Sequence, residues 1–292
     1  MRRFIKIAMK PKLALIFLLI SNFFFSQTIQ EIMKSDLEKM KFHFLNKNYK
    51  IFSTFVYPKV VELYGSEEQM IESAKLNVEK LEEDDFRFVN IYFKNFNENF
   101  NIGKEIQTSF TQVITMETPD GRISEENTMI AISSDKGKSW KFIDTSNYDE
   151  ILLQKNFPNL SKKLILKPKI RNAVNELQLK EKCLEFRNLE LQNLSALKFT
   201  KSKIIITETD QREIAEDGSF ITSKLIRNPE NPCKIDFVIK EIHDKPKSSF
   251  KIGDILHLEL TGFENDELFF IATLNKKKLI ISDKYKIVKK LL

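Results

Sequence analysis

Four polar residues fall where an apolar neighbourhood could tune them for chemistry. His43 adjoins the apolar stripe of a helical segment, Tyr57 lies at a helix break before Pro58, Gln112 sits in an apolar file between Phe110 and Ile114, and Asp144 ends a strand. A histidine with a carboxylate can move protons, the imidazole acting as base and the carboxylate holding its tautomer. His43 and Asp144 would take those roles, although a lone histidine beside a helix stripe is commonly a packed residue without chemistry. Other reaction types find fewer parts. His43, His243, His257 and two distant cysteines lack the spacing of a zinc site, so neither a metal nor another cofactor is expected. The chain has no Gly-x-Ser-x-Gly elbow, and its seven glycines form no phosphate-cradling loop.

The most distinctive local motif is Ser133-x-Asp135-x-Gly137-x-x-Trp140, which is similar to the Asp-box on sialidase-like propeller blades. A propeller repeats its blade, and this chain carries the motif once, so turn chemistry is the better account. Asp135 would accept backbone hydrogen bonds, Gly137 would tolerate positive φ, and Trp140 would cover the hairpin base.

The elements that must position these residues follow from periodicity. Ile29, Met33, Leu37, Met40 and Phe44 recur at helical spacing. A second helical stretch holds Tyr49, Phe52 and Phe55 until Pro58 breaks or restarts it. Ser66 and Gln69 match a capping box opening a third helix, with Met70, Ala74, Val78 and Leu81 as its buried stripe. Strands follow at Asp85–Phe93, around Ile106–Met116, at Arg122–Ser133 and at Ser139–Ile143, with Pro119, Asp120 and Gly121 as a turn. In the second of these, Ile106, Phe110, Ile114 and Met116 share one face, and Gln107, Ser109, Thr111 and Thr115 the other. A short helix from Tyr148 to Asn156 and the segment Phe157–Lys169 close the unit.

This order of helices then antiparallel sheet, with Thr54-Phe-Val-Tyr-Pro-Lys-Val-Val-Glu-Leu-Tyr-Gly65 and Ile130-Ala-Ile-Ser-Ser-Asp-Lys-Gly-Lys-Ser-Trp-Lys-Phe-Ile-Asp144, resembles the nuclear transport factor two-like (cystatin-like) cone proteins, and more narrowly an exported branch found in the Bacteroidota. The resemblance spans residues 28–168. It implies helices packed on a curved sheet, with a pocket between them that His43, Tyr57, Gln112 and Asp144 would line; it implies no particular activity.

After a helical or irregular connector at Arg171–Glu181, strands are expected at Leu184–Leu191, Lys203–Glu208, Ser219–Ile226, Cys233–Ile242, Ile255–Thr261, Glu267–Leu274, Lys278–Ser282 and Tyr285–Lys289. Seven or eight short strands fit a barrel or a sandwich. The fold class is therefore α+β over 27–170 followed by an all-β domain over 171–292. Cys183 and Cys233 both fall in the second domain, where they either form a disulfide from its first strand to its fourth or pack as small buried hydrophobes.

Arg2, Arg3, Lys6, Lys10 and Lys12 precede a short apolar run, Leu13–Phe25, interrupted by Ser21 and Asn22. That reads as a cleavable export signal over 1–26, too short to remain as a membrane span. Without those five basic residues, 42 basic stand against 41 acidic residues, a balance of +1 with the charges interspersed. Nucleic acid is discounted as a partner, and Lys276, Lys277 and Lys278 read as a solvated turn. The expectation is an exported, periplasmic or secreted module that binds a small ligand or an envelope protein without catalysis. Two alternatives stand: a hydrolase or isomerase using the cone pocket, and a carrier of a small apolar ligand inside the second domain. Intact-mass measurement on protein from its native host should find a chain starting at or within a few residues of Gln27, and residues 1–26 retained in a membrane fraction would contradict that.

Overall fold

The computed structural model describes residues 28–193, 202–243, 250–274 and 279–291. The expected signal, the new terminus at Gln27 and the Lys276–Lys278 turn lie outside the described residues.

Helix α1 (Ile29–Leu45) opens with a capping box: the Glu31 amide donates to Thr28 Oγ1 at 3.2 Å and the Thr28 amide to Glu31 Oε2 at 2.8 Å. Its Met33, Leu37 and Met40 are buried as the periodicity requires. Pro58 restarts the chain instead of breaking a helix: it is the first residue of α3 (Pro58–Leu63), after α2 (Tyr49–Ser53), where no amide hydrogen is needed. Ser66 caps α4 (Glu67–Glu83) by accepting from the Gln69 amide, while the Gln69 side chain lies over Gly65, where a Cβ would collide with it.

Six strands make the first, antiparallel sheet: β1 (Arg87–Lys94), β2 (Phe100–Ile102), β3 (Glu105–Thr118), β4 (Gly121–Ser133), β5 (Lys141–Asp144) and β6 (Ile170–Ala173). The order is β1-β3-β4-β5, with β2 also on β3 and β6 on β4. β3 and β4 pair from Ile106 opposite Ser133 to Thr118 opposite Gly121, so Pro119 and Asp120 form the turn. Phe110 joins Trp140, Phe142 and the α1 stripe in the core beneath the helices.

The opposite face, Gln107, Ser109, Thr111 and Thr115, is buried too. Helix α5 (Glu150–Asn156) and residues 157–169 cover part of it, and their backbone meets its polar groups. Gln107 donates to Asn159 O at 3.1 Å and accepts from the Ser161 amide at 2.8 Å, and Ser109 Oγ donates to Ile165 O at 3.0 Å. A satisfied polar group can be buried at small cost, so this file becomes an internal seam.

The connector expected at Arg171–Glu181 is ordered differently. Ile170–Ala173 is β6, held against β4 with Lys169 and Arg171 both on Glu125, and Asn175 then caps α6 (Glu176–Leu184). The second unit is a closed eight-stranded antiparallel barrel, not a sandwich: β7 (Leu189–Asn193), β8 (Lys203–Ile206), β9 (Asp210–Ile214), β10 (Phe220–Arg227), β11 (Lys234–His243), β12 (Ile255–Glu264), β13 (Glu267–Leu274) and β14 (Leu279–Lys290), with β14 returning to β7. β7 starts later than expected because α6 runs through Leu184. β9, Asp-Gln-Arg-Glu-Ile, has no apolar alternation to announce it, and the two last expected strands belong to one, β14. Apolar side chains from every strand but β9 fill the barrel.

Leu179 and Cys183 of α6 pack into that core, and Cys183 is disulfide-bonded to Cys233 with α-carbons 5.0 Å apart. Because Cys183 is helical, the bond ties α6 to the start of β11 instead of joining the first strand to the fourth.

The barrel docks on the seam face of β1. Tyr92 stacks on Phe269 at 4.1 Å, Ser282 Oγ donates to Asn90 Oδ1 at 2.8 Å, and Lys94 bridges Glu126 at 2.9 Å and Glu264 at 3.4 Å. Arg122, beside them on β4, pairs with Glu259 and, at 3.5 Å, with Glu176. Replacing both cysteines by alanine should remove about 4 kcal/mol of stability in the chain-entropy account of a loop this long. Denaturant unfolding of the oxidised wild type against the double variant reads this, and coincident midpoints would contradict it.

Candidate functional site

Between the helices and the first sheet lies a cavity of about 450 Å³. The helices contribute apolar walls through Met40, Phe44, Phe52 and Ala74, and the strands through Phe88, Ile91, Phe93 and Phe142. Lys41, Gln112 and Asp144 interrupt this lining, as do Tyr64, Asn77, Asn147 and Tyr148. Lys41 is 4% exposed and its ammonium is paired with Glu38 one turn back on α1. Burial pushes the Glu38 carboxyl up against the pull of that ammonium.

Gln112 is 7% exposed, and its Oε1 is buried without a hydrogen-bond partner among the described residues. Directly across the β3–β4 ladder stands Asn127, whose Nδ2 donates to Asp144 Oδ1 at 2.7 Å. The same Asp144 oxygen accepts from the Ser146 amide at 2.8 Å, where the chain leaves β5. The Ser146 side chain also bonds the Asp144 carboxylate, whereas Asn127 Oδ1 is buried without a partner among the described residues. Asp144 lines the chamber and is exposed; desolvation by the protein around it raises its pKa against the bonds from Ser146 and Asn127. The result is a largely apolar chamber with Gln112 and Asp144 on its sheet wall.

The structure thus divides the four residues singled out from sequence. Gln112 and Asp144 share the chamber. Tyr57 lines a separate polar cleft, its hydroxyl 3.2 Å from Glu105 Oε1, with burial and that carboxylate both raising its pKa. His43 lines neither; it lies against Phe42 and Phe55, ring centres 5.3 and 6.3 Å away, with Nδ1 buried and without a partner among the described residues and its pKa lowered by burial. The His43–Asp144 proton relay is not formed, because His43 projects to the side of the Met40–Phe44 stripe and onto rings outside the chamber. Asn127 and Lys41 are the residues that sequence reasoning missed. The first had a signal: a two-residue turn at Pro119–Asp120 puts Asn127 opposite Gln112.

The Asp-box-like segment is occupied with itself. Asp135 Oδ1 accepts from the Lys138 and Ser139 amides at 3.0 Å each and from Ser133 Oγ at 2.8 Å, which with the Ser139 hydroxyl outweighs desolvation and holds its pKa down to about 2. Gly137 adopts φ +86° beneath Ile29. Trp140 is not a cover for the hairpin base but a core residue under α1, its amide donating to Asp36 Oδ2 at 3.1 Å. Elsewhere, His257 and Asp236 meet at 2.6 Å on the outside of the barrel, each about two-fifths exposed. Among the described residues no cluster of His, Cys, Asp and Glu is arranged to hold a metal, and no helix is long and apolar enough to cross a membrane.

No known protein family, curated protein or solved structure matches the chain.

A carboxyl with a raised native pKa keeps its proton to higher pH in the folded chain than in the unfolded one, whose value is near 3.8. Its contribution to stability is most favourable below that value and is lost as pH rises through the native pKa. Asp144→Asn should therefore raise the melting temperature at neutral pH, and the gain should vanish as pH falls below the unfolded value. A lowered melting temperature at neutral pH would show that the charged form is favoured instead.

Proposed function

We propose that this chain is an exported binding protein that holds a small, largely apolar molecule between its N-terminal helices and its first sheet, in the manner of the cone-shaped proteins it resembles. The observation that carries the reading is the chamber of about 450 Å³, walled by aromatic and aliphatic side chains and containing a buried, unpartnered Gln112 Oε1. A chamber of that size with a few converging polar groups is the usual form of a small-molecule site. An unpartnered buried oxygen costs roughly 1–3 kcal/mol, so an occupant that supplies a donor recovers that cost. The Cys183–Cys233 disulfide supports export, since such bonds persist in oxidising compartments.

The rival readings have less to draw on. A hydrolase or isomerase would need a base beside the carboxyl, and His43 is elsewhere. A ligand inside the second domain would have to displace the packed side chains of the barrel core.

Fluorescence titration with the neutral apolar dye phenylnaphthylamine tests the site. Wild type should bind it saturably, and Ala74→Phe, which fills the chamber from α4, should weaken binding about tenfold or more while keeping the wild-type circular dichroism and melting temperature or raising the latter. Equal binding by a folded Ala74→Phe variant would overturn the reading.

A further inference from the structure

We infer that the occupant of this chamber carries a protonated amine on its apolar body, with the ammonium donating to the Asp144 carboxylate and to Gln112 Oε1. This rests on the binding reading above and adds the charge and polarity of the ligand. Gln112 Oε1 on the sheet wall is a buried acceptor with no partner among the described residues, and the Asp144 carboxylate lines the same chamber. Asn127 is held with its amide on Asp144, so its remaining oxygen adds to the same negative potential.

Charge narrows the class. The nearby cations are already engaged, Lys41 by Glu38 and Lys169 by Glu125. Asp144 forms no ion pair among the described residues, so the chamber presents one carboxyl without a counter-charge. A hydroxyl would answer Gln112 but would leave Asp144 uncompensated, and an anion would meet a like charge. The walls suit a cation too, because the rings of Phe44, Phe52, Phe88 and Phe142 offer faces that attract an ammonium as well as an apolar body.

Calorimetric titration of the full chain with phenylbutylamine, phenylbutanol and phenylbutyrate at neutral pH, beside the neutral dye, separates these classes. The amine should bind about tenfold or more tightly than the alcohol, and the carboxylate should not bind measurably. Asp144→Asn keeps the shape and the oxygen that Asn127 and Ser146 hold; it should abolish the preference for the amine and leave alcohol binding within about threefold. Amine preference surviving in that variant, or a carboxylate binding as well as the amine, overturns the inference. Should the variant fail to fold, the ranking of the three compounds on wild type decides alone. Wild type that binds the dye without favouring the amine refutes the ligand class and leaves the binding site standing. Wild type that binds neither the dye nor any of the three refutes both.

Discussion

The register of the β3–β4 hairpin is the constraint on which the rest depends. These strands are 14 and 13 residues long, more than twice the usual strand, and both of their faces are buried. A slip of one residue would turn every side chain of one strand to the other face. Phe110, Gln112 and Ile114 would leave the helix side, Thr111, Val113 and Thr115 would enter it, and the hydrogen bonds of Gln107 and Ser109 to residues 159–165 would be lost together. The core, the outer seam and the chamber wall are therefore set by one pairing, closed at Pro119–Asp120.

Burying the second face requires partners that a single sheet does not have. One is the strap of residues 157–169, and the other is the barrel, which brings Phe269, Ser282, Glu259 and Glu264 to β1 and β4. Asn46 strengthens this junction from the helix side: its Nδ2 donates to Phe42 O at the end of α1 and to Ile280 O of β14, and its Oδ1 accepts from the Ile280 amide. One side chain thus caps a helix and grips a barrel strand. The barrel itself is stapled to α6 by the disulfide, so the helix that follows the sheet is fixed at both ends, by Arg122 on Glu176 and by Cys183 on Cys233.

What the amino-acid order made legible was whatever has a period or a local cap. The α1 stripe, the Ser66 cap, the Pro119–Asp120 turn and the β11 alternation all carry such a signal, and each element stands where it was expected. β9 was not legible because Gln211 and Glu213 turn inward as polar residues, Glu213 taking a hydrogen bond from Ser202. Nor was the burial of the Gln107–Thr115 file, since alternation reports two faces and not what will later cover the polar one. Of the site, Gln112 was visible as a polar intruder in an apolar file, and Asp144 only as a strand end. The misplacement of His43 has the same origin: helical spacing places it beside a stripe, but which neighbouring rings it meets is decided by α2, through Phe55.

The polar wall of the chamber is difficult to explain by folding alone. Packing would be served by a leucine at position 112, which would remove an unpartnered oxygen, and by an uncharged residue at 144, where the surrounding protein raises the carboxyl's pKa. Contrast Asp135, whose depressed pKa records a charge that its turn stabilises, so that its contribution is present above the unfolded carboxylate value near 3.8 and lost as pH falls toward about 2. Asp144 has the opposite sign: the fold bears its charge instead of gaining from it. These two carboxylates, nine residues apart, therefore differ: Asp135 shapes the β4–β5 turn, and Asp144 ends β5 beside an apolar chamber. Residues that oppose stability where the surrounding design favours it are the expected mark of a site kept for a ligand. Asp135 and Asp144 thus differ in their surroundings: four donors in one turn answer Asp135, whereas Asp144 stands beside an apolar chamber with no ion pair among the described residues.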